Sequence, residues 1–170
     1  FNETILSYAE LEQRSNQLAH HLIALGVVPE TFVGVLLDRS EHIVIALLGI
    51  LKAGGAYVPL DPSYPANRLQ YIVEDTAAKL IISTRSLRAD VPGASARVVL
   101  IDDGAALSGY PTQRPAVAMS PDQLAYVIHT SGSSGRPKGV QISHSNAVSF
   151  LLGSHRYFPI HLGDTLLAVT

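Results

Sequence analysis

Thr130-Ser131-Gly132-Ser133-Ser134-Gly135-Arg136-Pro137-Lys138-Gly139 holds the densest potential chemistry in the chain. Glycine permits positive φ and close backbone approach, so consecutive N–H groups in such a stretch can turn inward around an anion. Hydroxyls and one ammonium add donors that suit phosphate oxygens. The stretch is not a Walker A loop, which needs Gly-Lys followed by Ser or Thr at the start of a helix; here Pro137-Lys138-Gly139 leads into a strand. A flexible Gly/Ser linker is the alternative reading. Against it stand three glycines, a proline and Lys138, one of only three lysines in the chain, in one short segment. Other chemistries are thinner. There are no cysteines, which excludes disulfides, thiolate metal sites and a cysteine nucleophile. The seven histidines form no HExxH pattern.

The elements around the loop would have to position it. A strand, Leu124–Ile128, enters it and another, Val140–Ile142, leaves it, followed by a helix from about Ser145 to Arg156 capped by Ser143, and a strand Asp164–Val169. Upstream, Ser7 and Glu10 fit a capping box, and Tyr8, Leu11, Leu18, Leu22 and Leu25 recur at helical spacing until Gly26 and Pro29 stop the helix. Phe32–Leu37 reads as a strand covered on both faces. Ser40 is a candidate N-cap for a helix His42–Lys52, apolar nearly all round and so expected to be buried, which Gly54-Gly55 ends. Ala56–Asp61 reads as extended, with Pro59 expected at an edge or a strand end. A helix opened by Pro65 carries Leu69, Ile72 and Val73, and Lys79–Ser83 and Arg97–Ile101 are strand-like. Residues 102–121, rich in Gly, Ser and Pro, read as a long surface connection. The alternation predicts an α/β fold: a mostly parallel sheet with helices on both faces and ligands beyond the carboxyl ends of the strands, where the loop lies.

The chain has 170 residues, 12 Lys+Arg against 14 Asp+Glu, 15% charged and 47% hydrophobic residues. That is the composition of one folded domain, without the basic face of a nucleic-acid binder. The longest strongly apolar run, Ile43–Leu51, is short for a membrane span, and no basic leader opens the chain. The expectation is a soluble protein of a reducing compartment, the cytoplasm, with no nucleic-acid or membrane partner. A start at Phe1 without methionine and an apolar close, Leu166–Thr170, suggest a piece of something longer.

The stretch Leu124 to Gly139 resembles the signature loop of the adenylate-forming superfamily, which includes acyl-CoA synthetases, luciferases and the adenylation domains of nonribosomal peptide synthetases. Three further stretches point to the last branch. Leu6–Leu11 resembles the first core motif of peptide-synthetase adenylation domains, Leu51–Pro62 the second, and Tyr64–Asp75 is similar to the segment that follows it. His129 stands where tyrosine is usual and Ser134 where threonine is usual. At the end of a buried strand, His129 is expected to be packed and hydrogen-bonded rather than a catalytic base.

The resemblance implies the large N-terminal subdomain of an adenylate-forming enzyme, divided as 1–101 (first βα units), 102–121 (connection) and 122–170 (phosphate-loop region). It implies ATP and Mg2+, attack of an amino-acid carboxylate on the α-phosphate, release of pyrophosphate, and transfer of the aminoacyl group to phosphopantetheine on a carrier domain. Thr130, Ser131, Gly132, Ser133, Ser134, Gly135 and Lys138 match the loop that holds the departing phosphates, with Lys138 the candidate catalytic residue. No protein metal ligands are assigned. Implied partners are the rest of the adenylation domain and the carrier and condensation domains, with a small helper protein as a further candidate. In the family the acyl pocket, adenine motif, ribose-binding acid and C-terminal lysine lie downstream, so the 170 residues alone are expected to be inactive. An acyl-CoA or aryl-acid ligase, or a non-catalytic nucleotide-binding or docking subdomain, are the competing readings. Ser7, Glu10, Gly54, Gly55, His144 and Asn146 are expected to be architectural.

Overall fold

The computed structural model describes residue 1 and residues 3–92, 96–131 and 137–165. Among them, strands β1 (Phe32–Leu36), β2 (Ala56–Leu60), β3 (Leu80–Ser83), β4 (Arg97–Leu100), β5 (Leu124–Thr130) and β6 (Lys138–Ser143) form one sheet in the order β4-β3-β1-β2-β5-β6. All neighbours are parallel except β5 and β6, which are antiparallel. The helices are α1 (Tyr8–Ala24), α2 (Glu41–Lys52), α3 (Ala66–Thr76), a short α4 (Gly104–Ser108) and α5 (His144–Tyr157).

From β1 the chain steps to β2 on one side, then returns past β1 to β3 on the other. With right-handed crossovers, the two connecting helices must lie on opposite faces. The burial follows. On one face Leu18 and Leu22 of α1 and Ile45 and Ile50 of α2 pack on Val33, Val35, Leu80 and Ile82. On the other, Leu69, Ile72 and Val73 of α3 pack on Leu36, Val58, Ile81 and Val127. Neighbouring residues of β1 and β3 thus serve opposite cores, which is why Phe32–Leu36 and Leu80–Ile82 carry no polar side chain. Each fully buried aliphatic side chain here stabilises the fold by about 1.5–3 kcal/mol.

The capping box is present as read: Glu10 N–H donates to Ser7 Oγ (3.2 Å) and Ser7 N–H to Glu10 Oε2 (2.8 Å). These bonds hold the Glu10 carboxyl below its usual range. The turn after α2 also needs its glycines. Gly54 has φ +88, and a Cβ on Gly55 would lie 3.0 Å from the Thr31 carbonyl oxygen. Lys52 is buried between α1 and α2, donating to Ser15 Oγ (2.7 Å) and pairing with Glu12 (2.7 Å).

Some local expectations shift. Ser40 occupies the N-cap of α2, but its hydroxyl donates to the Asp38 carbonyl and makes no cap bond. Val44 of α2 is 47% exposed, so this apolar helix is covered on most sides but not all. Pro65 is the N-cap of α3, one position ahead of the first turn. Pro59 lies in an interior strand near its carboxyl end; the β2–β5 ladder is confined to Tyr57↔Tyr126, and Pro59 has no N–H with which to extend it. Residues 102–121 contain α4 and run along α1, whose Asn16, Gln17 and His20 donate to the carbonyls of Thr112 (2.7 Å), Tyr110 (3.2 Å) and Gln113 (3.0 Å). Of the strand expected at Asp164–Val169, residues 166–169 lie outside the described residues, and Asp164 and Thr165 are not in a strand. No described helix is long and apolar enough to cross a membrane.

Candidate functional site

The strands β5 and β6 form a hairpin whose last described pair is Thr130↔Lys138, at the carboxyl end of the parallel strands. Thr130, Ser131 and Lys138 are all exposed at its mouth. The structure therefore brings together the two hydroxyls that enter the loop and the ammonium that leaves it. The other candidates, Gly132, Ser133, Ser134 and Gly135, lie outside the described residues.

One wall of the site comes from α3. Asn67, Arg68 and Tyr71 line an open cleft of about 310 Å3 together with Ser131 and Pro137. Arg68 stacks its guanidinium on the Tyr64 ring, 3.8 Å from the centroid, and its buried Nε has no partner among the described residues. At the end of β2, the Ser63 side chain and backbone hold the Asp61 carboxyl below its usual range, helped by Arg39 and Arg68. The lip is thus hydroxyl-lined and flanked by Lys138 and Arg68. It offers hydrogen-bond donors and positive charge to an oxyanion, the combination that phosphate groups select.

Two hydrogen bonds tie α3 to the roots of the loop. His129 Nε2 donates to Asp75 Oδ2 (2.9 Å), and Tyr71 Oη donates to the Pro137 carbonyl (3.3 Å). The His129 side chain is 2% exposed, a packed and hydrogen-bonded histidine as the sequence suggests. Past the hairpin, Ser143 and Asn146 form a reciprocal capping box at the start of α5, which assigns Asn146 a structural role. His144 donates its backbone N–H to the Gln123 carbonyl (2.9 Å).

Arg68, Tyr71 and Asp75 are functional candidates that sequence reasoning alone does not single out. Their spacing of three and four places them on one side of α3, beside the buried stripe of Leu69, Ile72, Val73 and Thr76. A polar row at helical spacing next to an apolar one is the signal that marks them. Among the described residues no three His, Cys, Asp or Glu side chains are grouped to hold a metal ion.

The family model for AMP-binding enzymes matches residues 1–170. The chain belongs to the AMP-binding enzyme family. Within this family the chain is 41% identical over 170 residues to tyrocidine synthase 3 of Brevibacillus parabrevis, covering 100% of this chain and 3% of the relative. It is 45% identical over 155 residues to the phosphinothricin tripeptide synthetase PhsC of Streptomyces viridochromogenes, covering 89% and 14%. Its fold superposes on the crystal structure of the nonribosomal peptide synthetase FmoA3 with a TM-score of 0.91 at 30% identity, covering 99% of this chain and 18% of that one. The chain thus spans only a small part of the length of the relatives it matches.

Proposed function

We propose that this chain is the N-terminal part of an amino-acid-activating adenylation domain, and that its β5–β6 hairpin mouth holds the β- and γ-phosphates of ATP. The observation that carries the proposal is the meeting of Thr130, Ser131 and Lys138 beside Arg68 at the carboxyl end of the sheet. Its likeness to peptide synthetases supports amino-acid activation over the acyl-CoA or aryl-acid ligase reading. Support for the nucleotide comes from FmoA3, which has AMPPNP-bound and alpha-methyl-L-serine-AMP-bound forms.

In the reaction a substrate carboxylate oxygen attacks the α-phosphorus in line. A new P–O bond forms as the bond to the bridging oxygen of the β-phosphate breaks, and pyrophosphate leaves with the electron pair. The protein's task at phosphorus is positioning and stabilising that departing charge. Ser131 and Thr130 would donate hydroxyl hydrogens to phosphate oxygens, and Lys138 would supply the positive charge. The hydroxyl oxygens of Thr130 and Ser131 are also hard donors of the kind Mg2+ accepts beside phosphate, so these residues would hold the cation, which would supply further neutralising charge there. Gly132, Ser133, Ser134 and Gly135 belong to the same proposed grip. The aminoacyl group would then pass to a phosphopantetheine thiol on a carrier domain, within a cytoplasmic synthetase that also carries condensation domains. The division at 101/102 and 121/122 is part of this proposal, as is the inactivity of the 170 residues alone.

The test is ATP–pyrophosphate exchange over a panel of amino acids, run on the 170 residues and on a chain extended through a complete adenylation domain. Exchange in the extended chain alone, with one or a few amino acids, is the expected result. Absence of exchange with every amino acid in a folded, extended chain would overturn the proposal.

A further inference from the structure

We infer that α3 is a clasp that aims the phosphate loop, gripping one root through Asp75–His129 and the other through Tyr71–Pro137; the inference rests on the phosphate-holding reading of the loop. His129 immediately precedes Thr130, and Pro137 immediately precedes Lys138, so each contact lies directly beside a proposed donor. Tyr71 and Asp75 are four residues apart on one helix and share a face. One rigid element therefore holds both ends of the loop.

The sheet does not provide this hold. Pairing of β5 with β2 is confined to Tyr57↔Tyr126, whereas β5 continues to Thr130 and β6 begins at Lys138. Beyond Tyr126 the described ladder partner of β5 is β6 alone. A two-stranded ribbon is marginally stable and strongly twisted by itself. Its direction relative to the sheet needs a further support, and α3, anchored by Leu69, Ile72 and Val73 in the core, supplies it. The His129 ring has little room to swing. Gly139 packs behind it so closely that a Cβ there would lie 3.2 Å from the ring atoms Cε1 and Nε2. His129, Asp75 and Tyr71 are positioning residues: they set where Thr130, Ser131 and Lys138 point, and small misplacements of such donors slow phosphoryl transfer.

The experiment uses the complete adenylation domain and compares wild type with His129→Phe, Asp75→Ala, the double variant and His129→Tyr. KM for ATP and for the amino acid are read separately from pyrophosphate exchange. His129→Phe and Asp75→Ala are each expected to raise KM for ATP by about five- to tenfold, with the amino-acid KM within about twofold of wild type. The double variant should be no worse than the worse single one, since both remove the same contact. His129→Tyr, which restores a ring-borne donor, should bring KM back to within about twofold of wild type. Multiplying effects in the double variant, or an unchanged KM for ATP in folded single variants, would overturn the clasp. If wild type itself shows no exchange, the functional reading fails first. The clasp is then judged by amide hydrogen exchange, where His129→Phe must speed exchange at 129–131 and 137–139 while α3 stays protected; unchanged exchange there overturns it.

Discussion

Adding a single methyl at Gly139 probes the packing that supports the loop. In Gly139→Ala the new Cβ would lie 2.9 Å from Val127 Cγ1 and 3.2 Å from His129 Cε1 and Nε2. Ordinary carbon contacts begin near about 3.5 Å, so the overlap is roughly 3.5 − 2.9 = 0.6 Å at Val127 and 3.5 − 3.2 = 0.3 Å at His129. Neither neighbour yields easily. Val127 is buried and stiff at χ1, and the His129 side chain is buried and bonded to Asp75. Overpacking of this kind costs about 1–3 kcal/mol, from which the lower entropy of unfolded alanine relative to glycine recovers about 0.5–1 kcal/mol. The net expectation is a local loss of about 1–2 kcal/mol. Amide hydrogen exchange on the complete adenylation domain reads it directly: protection across 124–130 and 138–143 should fall by a factor of about 5–30. Combining Gly139→Ala with His129→Ala should cost about 1 kcal/mol less than the sum of the single changes, because removing the ring relieves part of the overlap. Unchanged protection in Gly139→Ala, or strict additivity in the pair, would refute the reasoning.

Three further outcomes are expected. Removing the α1 cap by Ser7→Ala should cost about 1 kcal/mol in a urea titration. Because the cap also lowers the Glu10 pKa, the charge-dependent part of that difference should be present above the ordinary glutamate value and fade as pH falls through the lowered one. Glu12→Ala strips the carboxylate from Lys52, which is buried against Ser15, and should destabilise the packing of α1 on α2 by about 1–3 kcal/mol, read as faster amide exchange in both helices. Burial, reinforced by charge repulsion from the neighbouring Tyr126, pushes the Tyr57 pKa up to about 12. A raised pKa means that the contribution is complete below the unfolded value near about 10 and is lost as pH climbs towards the folded one, an effect of about 1 kcal/mol after screening at a half-buried site. Tyr57→Phe should flatten this alkaline loss, and a loss of equal size in the variant would contradict it.

The helix starts were legible because they rest on local chemistry. Ser7 with Glu10 and Ser143 with Asn146 sit three residues apart, and each closes a capping box. The buried strands were legible because Phe32–Leu36 and Leu80–Ile82 face two cores and carry no polar side chain. The Gly54-Gly55 turn was legible because a left-handed φ and a carbonyl contact leave little alternative. What escaped was long-range. The bonds from Asn16, Gln17 and His20 to residues 110–113 join segments more than ninety residues apart, so the run 102–121 reads as open loop although it is strapped to α1. Likewise, Arg68, Tyr71 and Asp75 look like ordinary solvent-facing residues until β5 and the loop roots are laid against their side of α3. Ser40 sits at the N-cap of α2 as read, but its hydroxyl donates to the Asp38 carbonyl and accepts no bond from the α2 backbone N–H groups, a detail the residue type does not reveal. Composition and family pattern single out the loop as a candidate, but the contacts of its roots with α3 are announced by no local motif.

The most direct measurement of the central claim is pyrophosphate exchange by Lys138→Ala beside wild type, in a complete adenylation domain at saturating amino acid. If the hairpin mouth holds the departing phosphates, losing this charge at the site of charge development should slow exchange by about tenfold or more, with the circular dichroism spectrum unchanged. Wild-type exchange in the folded variant would contradict the account.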